Sequence, residues 1–178
     1  MYRDILRFWF DEISPAQWWS VDPELDRLIA ERFADLHAQA ARAELFAWRA
    51  EPKGRLAEVI VLDQFSRNLH RGDGRAFAND AMALALAQEA VAAGADQGLT
   101  TDERGFLYMP YMHSESKLIH EVAVRLFAQG ASEQNHEFEL KHKAIIDRFG
   151  RYPHRNAVLG RASTAEEQAF LTEPGSSF

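Results

Sequence analysis

"GRLAEVIVLDQFSRNL", residues 54–69, decides how this chain folds. At roughly 100° per residue, Leu62, Phe65 and Leu69 share one arc of a helix, and Leu56 and Ile60 take nearly the opposite one. A helix that is apolar on both sides cannot lie on a surface, so other elements must wrap it. Asp63, Gln64, Arg67, Asn68 and Arg71 then continue the arc that Leu56 and Ile60 begin. A buried arc that turns polar opens onto a cavity, because unpaired polar groups do not stay dry. It can equally be a helix end emerging into solvent, with Asp63 and Arg67 as an ordinary i,i+4 pair. The residues leave both readings open.

Working outward, the wrapping elements are also helices. Leu25, Leu28, Ile29, Phe33, Leu36 and Ala40 keep the helix period behind an Asp22-Pro23 start. The stretch at 75–94 is rich in alanine, which lets a neighbouring helix approach closely, and Gly94 suits the residue after its end. Thr100 and Glu103 form a capping box for a helix that should break near Pro110. Helices follow over 114–129, from Ser114, and over 132–149, capped by Ser132 and stopped at Gly150; Ser163 with Glu166 caps a last short one. No stretch alternates at period two with β-branched residues, so strands are not expected. Short connections favour antiparallel hairpins. The expected fold is all-α: antiparallel helical hairpins in a tetratricopeptide-like right-handed array of roughly seven to nine helices. No clean repeat of about 34 residues is present. One domain spans 1–178, with 173–178 expected as a frayed tail.

Composition narrows the functional classes. The chain has no cysteine, which excludes disulfides, thiolate nucleophiles and sulfur-ligated metals and suits a cytoplasmic protein. It carries 27 acidic against 20 basic residues, which argues against general nucleic-acid binding. No apolar run approaches a membrane span. Yet residues 148–165 hold four arginines and no acid. Gly150 and Pro153 put these cations in a bend between two helices, not on a solvated helical face.

Three isolated polar residues join them as candidates. Glu115, near a helix start, falls on the arc of Leu118, Val122 and Leu126, where it caps the helix, pairs with an arginine or acts as an acid–base group. His142 sits on the stripe of Phe138, Ile145 and Phe149. His113 precedes Glu115 by two residues. Glu133-x-x-His136 and Glu139-x-x-His142 match half of a di-iron motif, but both lie on one helix and diverge, so no metal is expected. No phosphate-binding loop, nucleophile elbow or cofactor motif is present, so no cofactor is expected either.

"VLDQFSRNLHRG" (61–72), "AFANDAMALALA" (76–87), "YMPYMHSE" (108–115) and "RFGRYPHRNAVLGRASTAEEQAFL" (148–171) resemble the bacterial domain of unknown function 924 family. The resemblance extends to "FWF" at 8–10 and "QWWSVDPELD" at 17–26, and so to essentially the whole chain. It implies an all-helical, tetratricopeptide-like bacterial protein and no activity.

From the residues, the leading expectation is a pocket for an anionic small molecule or a peptide carboxylate. Arg67, Arg71, Arg151, His154, Arg155, Asn156 and Arg161 would line it, with Asp63, Gln64 and Asn68 beside them. The second expectation is a cofactor-independent hydrolase or isomerase using Glu115, His113 or His142, with His154 as a further proton carrier. The third is a structural network in which the arginines pair with Asp63, Glu115 and Asp147. Nucleic acid and membrane are not expected partners. The protein would be a monomer, or a homodimer through an aromatic patch at Trp18 and Trp19.

Overall fold

The computed structural model describes residues 1–177 and is helical throughout, with no strand among the described residues. Phe178, the last residue of the tail expected to fray, lies outside them. Before it, Ser176 is buried and its N–H bonds the carbonyl of Glu173.

The central helix forms as its two apolar arcs require. It starts with Pro52 at its first position, where no N–H is needed, as α3 (Pro52–Ile60). It passes without a break through a π turn (Val61–Phe65) into α4 (Ser66–Leu69). Every residue from Leu56 to Asp63 is buried. Around it pack α1 (Tyr2–Arg7, extended by a π turn at Phe8–Glu12), α2 (Pro23–Ala41), α5 (Asp80–Ala92) and α6 (Thr101–Met112). The alanines work as expected. Ala83, Ala87 and Ala90 form the fully buried stripe of α5, which packs on α3. Gly54 permits a second close approach: a Cβ there would lie 2.1 Å from the Trp48 carbonyl oxygen.

The layer beyond α6 is built from α7 (Lys117–Gly130) and α8 (Glu133–Phe149). A final short helix, α9 (Ala165–Phe170), follows the arginine-rich segment. One core cluster, from Ile5 to Phe127, unites the first seven helices, and a smaller one around Ile145, Ile146 and Tyr152 holds the C-terminal segment. Large fully buried side chains such as Trp9, Phe65 and Phe127 each contribute about 1.5–3 kcal/mol through burial.

Several helix ends fall where the sequence puts them. Asp22 caps α2, Thr100 and Glu103 close a capping box, Ser132 caps α8, and Gly94 and Gly150 take left-handed φ of 68° and 70°. Two starts differ. The helix expected from Ser114 begins at Lys117, and its buried face is His120, Ala123 and Phe127, leaving Leu118 exposed. Glu115 therefore precedes the helix and is not on its inner arc. The last capping box uses Thr164 and Glu167 in place of Ser163 and Glu166. No helix among the described residues is long and apolar enough to cross a membrane.

Candidate functional site

The polar arc of the central helix does open onto a cavity, of about 610 Å³. That volume is ordinary for a small-molecule site. Gln64, Arg67, Asn68 and Arg71 line one wall. Met109, Met112 and His113, at the C-terminal end of α6, line another. Pro110 lies inside that helix, which ends two residues later, leaving His113 at the cap. Phe138 and His142 come from α8, Tyr152, His154 and Arg155 from the segment after it, and Trp18 and Trp19 from a 3₁₀ turn (Pro15–Trp19).

Asp63 lies beneath this surface. It belongs to the π turn, is fully buried, and does not itself line the cavity. Its Oδ1 accepts a hydrogen bond from His113 Nδ1 at 2.8 Å and lies 3.3 Å from Arg67 Nη1; its Oδ2 accepts from Gln64 Nε2 at 2.6 Å. Burial alone would raise the Asp63 carboxyl, but Arg67 and His113 together hold it well below the usual carboxylate range. His113 is pushed below its ordinary value by burial and by Arg67, against the pull of Asp63. The ring is therefore neutral near pH 7. With Nδ1–H directed at Asp63, the lone pair is left on Nε2, the tautomer that the hydrogen bond assigns.

Arg155 has the most unusual environment. Its guanidinium is held between two rings, 4.4 Å from the Phe77 centroid and 4.7 Å from that of Tyr152. The residue is only 6% exposed. Its one hydrogen bond among the described residues runs from Nη1 to Asp80 Oδ2 at 3.2 Å, and Nε is buried without a partner. Asp80 is shared, because Arg67 donates to both of its oxygens at 3.1 and 3.2 Å. Burial and the neighbouring Arg67 lower the Arg155 pKa. A guanidinium remains charged in proteins, so the unfavourable surroundings raise its demand for a counter-anion.

Two further histidines face this charge. Burial pulls His154 down to about 4, with Arg155 acting in the same direction. Burial pulls His142 down to about 3, although its Nδ1–H bonds the Phe138 carbonyl at 2.8 Å. Tyr152 is fixed from behind: its hydroxyl donates to the Met112 carbonyl at 2.5 Å and lies 3.2 Å from His120 Nε2. His120 in turn meets Glu139 Oε1 at 2.7 Å, and both are fully buried. Burial raises the Glu139 carboxyl.

The rest of the arginine-rich segment is placed elsewhere. Arg151 bonds Glu167 at 2.6 and 2.8 Å and the Ala162 carbonyl at 2.9 Å. Arg161 bonds Glu115 at 2.6 and 2.9 Å, and Asn156 meets Ser163 and Glu167. Arg148 meets Glu166 at 2.8 Å. None of these lines the cavity. Glu115 also accepts the Tyr152 backbone N–H at 2.7 Å; burial would raise its carboxyl, but Arg161 and this bond hold it low. It is thus a clamp between loop and core, held away from the cavity. Arg71, though at the wall, is paired with Asp26 at 2.7 and 2.9 Å. Sequence reasoning missed Asp80, Phe77 and Tyr152 and read Trp18 and Trp19 as a dimer patch. Only Tyr152, between Arg151 and His154, carried a signal. Among the described residues, no three His, Cys, Asp or Glu side chains are grouped to hold a metal ion.

Comparison with known proteins agrees with this fold. A family model described as "Bacterial protein of unknown function (DUF924)" matches residues 5–175. The solved structure of a protein of unknown function, ATU0120 from Agrobacterium tumefaciens, is similar at 36% identity and a TM-score of 0.91, covering 96% of each chain. No curated protein matches.

Proposed function

The chain belongs to the bacterial family DUF924, and on the geometry of its site we propose that it binds an anion, a small carboxylate or phosphate or the carboxylate of a peptide, in the cavity beside Arg155. The supporting observation is the state of that guanidinium. It is buried between two rings, shares a single acid with Arg67, and has Nε unpartnered. A buried cation with unused donors favours an anion that can accept two parallel hydrogen bonds. Arg67, which shares Asp80 with Arg155 and also lines the cavity, is the neighbouring cation that completes such a contact. The test is thermal unfolding with added sulfate, phosphate and citrate, in wild type, Arg155→Ala and Arg161→Ala. Stabilisation should vanish in Arg155→Ala and persist in Arg161→Ala. Equal stabilisation of all three proteins would sink the reading.

The Asp63–His113 pair favours a second reading, a hydrolase. An imidazole oriented by a buried carboxylate, with Nε2 carrying the lone pair, is a general base. His113 would take a proton from water as the water oxygen adds to an anionic ester's carbonyl carbon. The C–O bond then breaks and the alkoxide leaves with that proton. Turnover of an anionic p-nitrophenyl ester that survived His113→Asn would rule this out.

A further inference from the structure

Resting on the anion reading, we infer that the ligand is amphipathic: an anionic head joined by a short apolar linker to an aromatic ring, with the ring seated against Trp19. The cavity wall formed by α6 has a direction. Phe106, in the middle of that helix, is the hub of an aromatic cluster, with Trp9, Trp18 and Trp19 at centroid distances of 5.5, 5.0 and 5.7 Å. All three tryptophans line the cavity. Along the same helix follow Met109, Met112 and finally His113, where Asp63 and the cations begin. Seven residues at helical rise separate the aromatic hub from the imidazole, roughly 10 Å. One end of the wall is therefore aromatic, the middle is thioether, and the other end is cationic.

Trp19 identifies what the apolar end takes. Its indole stacks on Phe106 at an interplanar angle of 8°, so one face is covered. The residue is nevertheless 56% exposed, which leaves the other face to a partner. Phe138, 38% exposed, adds a second ring at the cavity. Ring on ring is the contact such surfaces prefer, and the two methionines adapt to a flexible linker. An inorganic anion would use the cationic end and leave this surface wet.

The probe is 4-phenylbutyrate, which joins a carboxylate to a phenyl ring through three methylenes. It is titrated by calorimetry and tryptophan fluorescence beside butyrate and 4-phenyl-1-butanol, in wild type and Trp19→Ala. The expected result is that 4-phenylbutyrate binds at least about tenfold tighter than either comparison compound. Trp19→Ala should remove its advantage over butyrate and keep its advantage over the alcohol. Equal affinity for butyrate and 4-phenylbutyrate overturns the inference while leaving the anion reading intact. Equal affinity for the alcohol overturns the anion reading itself, whereas absence of binding by all three compounds overturns this inference and leaves the anion reading to the sulfate, phosphate and citrate test. If Trp19→Ala retains the full preference for the ring, the placement at Trp19 is wrong.

Discussion

Arg155 and Asp80 lie 75 residues apart in the chain and meet at 3.2 Å, at a carboxylate that Arg67 already holds. One acid thus answers two guanidinium groups. Asp80→Asn leaves Arg155 without a hydrogen-bonded acid and Arg67 with Asp63 alone, a loss on the order of 2–4 kcal/mol for groups this buried. The melting temperature should fall, and sulfate should restore more of it in this variant than in wild type, because an added anion takes the missing carboxylate's place. Equal sulfate effects in the two proteins would separate Asp80 from the site.

The Arg161–Glu115 pair should behave in the opposite way. Each side chain is 25% exposed, so Arg161→Ala should cost about 1–2 kcal/mol in chemical denaturation. Anion affinity should stay within about twofold, since neither residue reaches the cavity. A collapse of affinity with stability retained would return Glu115 to the site.

Gly54→Ala tests the central packing. The new Cβ meets backbone, not a flexible side chain, so α3 or the Trp48 turn must move. Overpacking of this kind costs about 1–3 kcal/mol, or on the order of 2–4 °C in melting temperature per kcal/mol at this chain length. Unchanged melting would show that the turn yields freely.

Acid should destabilise the protein before its carboxylates titrate. His142 and His154 have folded values near 3 and 4, below an unfolded value of about 6.5. Between those limits the unfolded chain binds protons that the folded one does not, so stability present above pH 6.5 is lost as pH falls. Each group contributes up to about 1.4 kcal/mol per pH unit in that window. Stability measured from pH 7 to pH 4.5 should decline, and His142→Gln should flatten the decline. A flat wild-type profile would mean that neither histidine is held neutral.

Helix ends and core were legible because capping and periodicity are local. Asp22, Ser132 and Gly150 each declare themselves within four residues. "STAEE" at 163–167 shows the limit, since Ser163 with Glu166 and Thr164 with Glu167 satisfy the same motif. The register chosen sends Glu167 to Arg151 and Asn156 and leaves Glu166 to Arg148. Four arginines close in sequence therefore reach different acids, and only Arg155 finds the cavity. Those partners are 16 to 75 residues distant, and no local pattern encodes such pairings. The cavity itself was half legible, in the polar arc. Its aromatic end was not, because Trp18 and Trp19 look alike whether they cover a partner or a hollow.

The π turn at Val61–Phe65 makes the central helix intolerant of a very small change. It carries one residue more than an α-turn, which sets the phase of everything after it. If the same residues closed as ordinary α-turns with none removed, Arg67, Asn68 and Arg71 would swing by roughly 100° about the axis. Far-UV circular dichroism would hardly register the change, for the helix would remain a helix. The cavity wall would be dismantled all the same, with its cations turned to face a different neighbour.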